Sequence, residues 1–417
     1  MPWRSLLRTS GAVWGFMPVA AWMWLISRSP DFTFTVGYWE AATAQISYIG
    51  IFPVALCAAA GTWEAVRLKR SQIAADGGAA VRSPVAVMLQ QLGVVGAVGM
   101  LCIAWALFCV AEGAKGAPGV PDFRVIALLA FLVCTYASLG YAVGWLLPGI
   151  LAVPAVAVGT FLWLAYPVAM DPLWLRRLNG TNLDYCCAVD RTLDPRALQA
   201  PAIVALGLFV AALVIIGGRS AMSRLLALAP VAVACAVAVP LVMPMGYDPT
   251  RNRDVSALSC SSGTPRICLW PEQQHDASKF RMWLEEGTKR LKEAGVDLPE
   301  TYTPSFVGPT RARVLASLVG SVMPKDAPSC AQKGAAWPGG RAGAPVATWL
   351  ELTAGGRADD VAQRVLGDGG KTLSLVQQVR ALPAEAQLNW YRTNRAALTD
   401  CVTQPQIDPS AYAGSAE

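Results

Sequence analysis

The side chains that could carry chemistry are few in this 417-residue chain. It has one histidine, His275. A single imidazole cannot make the paired-histidine ligand sets of a zinc site. Nothing beside it reads as the strained Gly-x-Ser-x-Gly turn of a serine nucleophile, so His275 reads as a surface residue. Gly367-Asp368-Gly369-Gly370-Lys371-Thr372 ends like a phosphate-binding loop. Where that motif needs its first glycine, so that backbone donors can wrap the phosphates, the chain has Val365. The segment reads as a junction between two helices. The expectation is a protein that is not an enzyme, with no metal and no cofactor.

The cysteines divide by context. Cys57, Cys102, Cys109, Cys134 and Cys235 lie in apolar runs, where a thiol behaves as a small hydrophobe. Cys186, Cys187, Cys260, Cys268, Cys330 and Cys401 lie in polar segments, an even set that suits an oxidising compartment. Cys260 and Cys268 flank Ser261-Ser262-Gly263-Thr264-Pro265 and are expected to bridge the two arms of a hairpin, leaving Cys330 for Cys401. Adjacent residues make strained bridges, so Cys186 and Cys187 are expected to pair elsewhere or stay reduced.

Two further groups have both a structural and a functional reading. Trp63, Glu64, Arg67, Lys69 and Arg70 form a basic amphipathic segment: either an ordinary span end that fixes topology, or a docking helix for a cytoplasmic ATPase. Gln45, Gln90, Gln91, Tyr136 and Tyr141 lie in apolar segments. They read as interhelical hydrogen bonders or as the lining of a translocation path. No Asp, Glu, Lys, Arg or His falls in the middle of an apolar segment, which argues against an ion-coupled carrier.

The elements that position these residues belong to a membrane. From Val125 to Met170 there is no charged side chain, and the main break is Leu147-Pro148-Gly149. A bilayer core takes roughly 20 apolar helical residues to cross, so this stretch is two crossings joined by a turn. Further apolar segments at 11–26, 42–62, 85–110, 200–217 and 225–245 bring the expected count to seven spans. Residues 1–10 suit a short interfacial helix, and 170–199 a polar loop. Residues 1–246 are therefore read as the transmembrane domain. Residues 247–417, with nearly balanced charges, are read as a small α+β, mostly helical, soluble domain. Its expected elements are the hairpin, then a helix capped by Asp276 with Phe280, Trp283, Leu284 and Leu291 on one face, then helices near 310–322, 345–354, 357–366, 372–382 and 384–401.

Basic residues favour the inside. Arg4, Arg8, Arg67, Lys69, Arg70, Arg82, Arg219 and Arg224 would be inside with a cytoplasmic N-terminus, against Arg28, Lys115, Arg124, Arg176, Arg177, Arg191 and Arg196 outside; the weight of the early loops and the acid-balanced 170–199 loop decide for that orientation. The same orientation puts all six polar-segment cysteines on the outer, oxidising side. The net charge of +6, without a basic run interleaved with aromatics, argues against a nucleic-acid partner; membrane lipid is the expected one.

The membrane half resembles actinobacterial permeases of the type-2 ABC exporter group. The likeness rests on the short N-terminal helix, the basic Trp63-Glu64-Ala65-Val66-Arg67-Leu68-Lys69-Arg70 segment after the second span, and Leu139-Gly140-Tyr141-Ala142-Val143-Gly144. Ile267-Cys268-Leu269-Trp270-Pro271-Glu272 resembles a segment of extracytoplasmic domains joined to such permeases. The resemblance implies a bacterial cell-membrane protein working with a separate ABC ATPase subunit and a second membrane subunit. Typical members have six spans with both termini inside, unlike the seven read here. An alternative is a non-transporting membrane protein whose external domain binds a peptide, lipid or cell-envelope partner.

Overall fold

The fold was obtained as a computed structural model. It describes residues 10–29, 37–70, 83–183, 186–218, 220–245, 248–324, 328, 337–364 and 370–413. The expected N-terminal helix, Arg82, Cys330 and residues 365–369 of the loop before Lys371 lie outside the described residues. The chain divides into two compact units, Met1–Arg253 and Asp254–Glu417.

The first unit is built from α1 (Gly11–Ser27), α2 (Trp39–Ile49), α3 (Ile51–Arg70), α4 (Pro84–Ala111), α5 (Phe123–Leu146), α6 (Gly149–Ala165), β1 (Arg191–Leu193), α7 (Pro195–Gly217), α8 (Ala221–Leu226), α9 (Leu228–Val242) and β2 (Thr250–Asn252). Among the described residues six helical stretches are long and apolar enough to cross a membrane: α3 to α7, and Arg224–Val242 over α8 and α9. These are the helices of a membrane protein. Their exposed apolar side chains, Leu101, Phe108, Ile150, Leu151 and Val233 among them, form the surface that hydrocarbon would wet.

The segment expected as one span at 42–62 is two helices. Gly50 lies between α2 and α3, and Pro53 has no N–H to return to the Ile49 carbonyl, so the ladder restarts with Pro53 in the first turn of α3. α1 has 17 residues, about 25 Å of helix, shorter than the other six. It nevertheless runs from one end of the unit to the other. Gly11 at its start lies against Trp63 of α3. Arg28 past its end pairs with Glu112 beyond α4 at 3.1 Å.

α3 is the centre of the unit, packed most extensively on α5 and also on α6, α4 and α1; α7 packs between α5 and α9. Small residues set the α3–α5 distance. A Cβ at Gly61 would meet the Ala137 backbone, and one at Gly140 the Ala58 backbone. Thr62 Oγ1 then donates to the Gly140 carbonyl at 2.9 Å. The Gly140-x-x-x-Gly144 spacing thus lies on a real helix contact.

The second unit places β3 (Ser259–Cys260), β4 (Arg266–Leu269) and β5 (Thr301–Tyr302) in one sheet, with β3 antiparallel and β5 parallel to β4. Around it lie α10 (Ala277–Glu293), α11 (Arg311–Val322), α12 (Gly340–Thr353), α13 (Ala358–Arg364), α14 (Lys371–Arg380) and α15 (Ala384–Ala396). Phe280, Leu284 and Leu291 of α10 are fully buried with Trp349 and Trp390.

Two expectations are corrected here. The first hairpin arm, read in the sequence over 255–260, is shorter, because Val255–Ala257 is a 3-10 turn capped by Asp254. Asp276 makes no side-chain cap; the 3-10 turn Pro271–Asp276 feeds α10 directly, and Asp276 pairs instead with Lys279 at 2.7 Å. β5 was not expected: two residues carry too short a pattern to be read.

Candidate functional site

The basic segment Trp63–Arg70 is the last two turns of α3, where Arg67, Lys69 and Arg70 suit the negative end of the helix dipole. It does not project freely. Glu64 is 1% exposed and pairs with Arg67 at 2.5 Å. Its carboxylate faces Ser10 and the Gly11 amide at the start of α1, where the helix dipole favours negative charge. Lys69 Nζ donates to the Trp145 carbonyl at 3.2 Å, supplying a partner to one of the unpaired carbonyls in the last turn of α5. The Arg70 guanidinium lies beside Gly149, the first residue of α6. One helix end therefore holds the start of α1, the end of α5 and the start of α6.

Glu40 organises the opposite end. Its Oε1 accepts from Thr192 Oγ1 at 2.6 Å and from the Leu193 amide at 2.8 Å, while Oε2 accepts from the Tyr38 hydroxyl at 2.7 Å. Arg124 of α5 lies 3.5 Å away. This ties α2 to β1, and β1 pairs antiparallel with β2 where the chain leaves the unit. Two helices begin here with the same device: Asp122 caps α5 and Asp194 caps α7, each also gripping the arginine two residues on at 2.7 Å. That hydrogen-bonded Arg196 holds the Asp194 carboxyl below the usual carboxylate range.

The loop after α6, expected to be an open polar loop, turns back into the helices. Arg176, Arg177, Asn179, Thr181 and Asn182 are all 5% exposed or less. α6 ends with orphan carbonyls, and the loop satisfies them: Asn179 Nδ2 donates to Trp163 and Leu164, and Thr181 Oγ1 to Leu164 at 2.8 Å. The Leu183 amide donates to Ser47 of α2 at 3.2 Å. Gly180, at φ +77°, makes the bend in the left-handed region with Leu132 and Pro201 packed close. Sequence reasoning missed this site and Glu40, because polar residues between spans read as solvated. The cluster Asn179-Gly180-Thr181-Asn182 was the visible turn signal.

Of the in-span polar candidates, Gln45 is half-buried on α2, Gln90 is exposed and Gln91 buried on α4, and Tyr136 and Tyr141 are buried on α5. They do not converge on one space. A cavity of about 340 Å³ lies between α5, α6, α7 and α9, and Tyr136 alone of the five lines it.

The cysteines are placed as follows. Cys260 and Cys268 face each other across β3 and β4 and are bonded. Cys401 is disulfide-bonded, while its expected partner Cys330 lies outside the described residues. Cys186 and Cys187 are bonded to each other, against the expectation that adjacent thiols would pair elsewhere or stay reduced. Both are buried in the first unit's core. Cys57, Cys102, Cys109, Cys134 and Cys235 are free.

In the second unit His275 is exposed on the 3-10 turn before α10. Gln273, beside it, is 1% exposed and joins the end of β4 to the 304–306 segment: its Oε1 accepts from the Trp270 amide, and its Nε2 donates to the Pro304 and Phe306 carbonyls. A surface depression of about 630 Å³ lies between α14 and residues 407–409, with Lys371, Ser374, Gln378 and Asp408 on its wall. Among the described residues no three His, Cys, Asp or Glu side chains converge as a metal site.

Residues 267–401, inside the second unit, match a family model described as a Domain of unknown function (DUF7224). No curated protein and no solved structure matches the chain.

Proposed function

We propose that this chain is a permease-like membrane subunit of an ABC exporter, worked by a separate cytoplasmic ATPase and paired with a second membrane chain. The observation that carries this is the end of α3, where Trp63 to Arg70 bind the ends of three other helices. A partner pressing on this end would move α1, α5 and α6 with α3. ATP-driven closure would then shift the unit between two arrangements by differential contact with that end.

The topology that goes with this reading has seven spans, α1 included, with the N-terminus in the cytoplasm and the second unit outside a bacterial cell membrane. The chain enters the first unit beside Trp63 and leaves it at β2, beside Glu40, at the opposite end. The bonded cysteines 186 and 187 belong to that second end, which suits an oxidising exterior.

A second reading, a non-transporting membrane protein that binds a peptide, lipid or envelope partner outside, is favoured by the polar depression along α14. Affinity purification of the full chain in mild detergent separates the two. An ABC ATPase should co-purify with it. Reversing charge at Arg70 should weaken that association while the chain still elutes as a folded species. Recovery of the folded chain with no ATPase would overturn the exporter reading and leave the second.

A further inference from the structure

We propose that the cavity between α5, α6, α7 and α9 binds one acyl chain of a membrane glycerophospholipid. This needs only that the helices lie in a membrane, and it does not depend on ATPase coupling.

The cavity's place comes first. Its walls come from helices long enough to cross a bilayer: Tyr136 of α5, Gly159 and, in the last turn, Trp163 of α6, Val204 of α7 and Cys235 of α9. Gly207 lets α7 and α9 approach, since a Cβ there would meet Ala234 and the Pro230 carbonyl. α6 is held by α3 and α5 instead, and makes little contact with α9. The cavity lies where those two helices stand apart. Elsewhere on the same helices Val158, Leu162, Leu206 and Val237 are exposed and apolar. The helices that wall the cavity therefore stand in hydrocarbon, and lipid is the ligand at hand.

Chemistry selects the part of the lipid that enters. The lining holds no charged residue, and a phosphate or ammonium brought there would lose its hydration with nothing in return. The lining's two hydroxyl groups are on Tyr136, which is engaged by Trp163, and on Thr160, which is 8% exposed. Hydrocarbon suits the rest, because an apolar void left empty forfeits the dispersion contacts of its walls. A volume of about 340 Å³ falls at the lower end of ordinary ligand cavities. At the ~30 Å³ that a small group takes in a liquid, it holds about eleven such groups, a stretch of one acyl chain and not a whole lipid. Leu178, from the loop that folds back after α6, is part of the same lining, so that loop bounds the space the chain can fill.

The test uses the full chain in phosphatidylcholine–phosphatidylglycerol vesicles doped with phosphatidylcholine that carries a diazirine midway along one acyl chain. After irradiation, adducts are mapped by mass spectrometry. Tyr136 is 4% exposed, so an adduct there requires a chain inside the cavity; an adduct on half-buried Leu139 of the same lining accompanies it, and adducts on exposed Val237 and Ile150 report ordinary lipid contact. A Cβ at Gly159 would meet nothing within 4 Å, so Gly159→Leu can occupy the space without moving backbone. It should lower the Tyr136 and Leu139 adducts roughly tenfold and leave those on Val237 and Ile150 unchanged. Cys235→Phe, from the wall on α9, should do the same if Gly159→Leu does not fold. Adducts confined to exposed side chains in the unsubstituted protein would overturn the proposal. So would Tyr136 adducts that persist at full yield in a folded filled variant.

Discussion

Lys69 Nζ lies 3.2 Å from the Trp145 carbonyl, joining the last turn of α3 to the last turn of α5. These two parallel helices could have ended separately, each hydrated at its own end. They end together, and Glu64 with Arg67 one turn earlier does the same for the start of α1. The basic residues of this segment are thus the residues that close one end of the helix unit. A docking role and a structural role fall on the same side chains, so substitutions there must be chosen to tell the two apart.

Arg67 offers the first such choice. Glu64 is 1% exposed and Arg67 30%, so Arg67→Ala strands a buried carboxylate. Removing one partner of such a pair costs about 3 kcal/mol, and the variant should unfold at lower temperature in detergent. Pairing it with Glu64→Gln removes the uncompensated charge and should restore most of the loss. A double variant no more stable than Arg67→Ala would show that the arginine acts through something other than Glu64.

Asn179 is the second. It is 1% exposed; its Nδ2 donates to two carbonyls at the end of α6, and its Oδ1 accepts from the Thr181 amide and from Asn182. Asn179→Leu leaves the Trp163 carbonyl without this donor and should cost about 1–3 kcal/mol. Asn179→Asp is nearly isosteric but puts an acceptor where the donor was, and should cost more than Asn179→Leu. Thermal unfolding of the three proteins in one detergent checks the order. Equal midpoints would mean that the loop does not depend on capping α6.

The crossings were legible because hydrocarbon imposes a length: Val125–Met170 without a charge and Pro148-Gly149 in the middle translate directly into α5, a turn and α6. The break between α2 and α3 was less so. Pro53 was visible, but a proline in the first turn of a new helix and one inside a long helix look alike in sequence. The returning loop was illegible. Asn179, Thr181 and Asn182 are buried because the orphan carbonyls at Trp163 and Leu164 need donors, and that need appears only once the end of α6 is fixed in space. Glu40 was hidden for the same reason, since its partners Thr192 and Leu193 lie about 150 residues further on. The tail was legible in its helices and less so in its sheet: β5 is two residues long and is held by register with Arg266 and Ile267.

Orientation is the third prediction. The opposite ends at which the chain enters and leaves the first unit, seen at Gly11 and at β2, lead to a simple pattern. A reporter active only outside the cytoplasm should work when fused after Glu417 and fail when inserted at Asp76. Activity at Asp76 and none after Glu417 would reverse the orientation. Activity at both would mean that one of the five crossings between Asp76 and Glu417, from α4 to α9, does not span.

Disulfide connectivity is the last. Cys260 and Cys268 pair in register across β3 and β4, so their bridge closes a loop of 8 residues and pins a hairpin whose strands are too short to hold by ladder hydrogen bonds alone. In the chain-entropy account a loop of that length stabilises by about 2–3 kcal/mol. Cys260→Ser with Cys268→Ser should therefore lower the unfolding midpoint of the second unit's transition without abolishing its fold, because the core built on Phe280, Trp349 and Trp390 is unaffected. Cys401 is bonded, and the sequence expectation pairs it with Cys330. Non-reducing peptide mapping of the full chain should return these three linkages, with alkylation confined to the five cysteines of the apolar helices. A Cys260 or Cys268 peptide linked to Cys401 would contradict the bridge between β3 and β4.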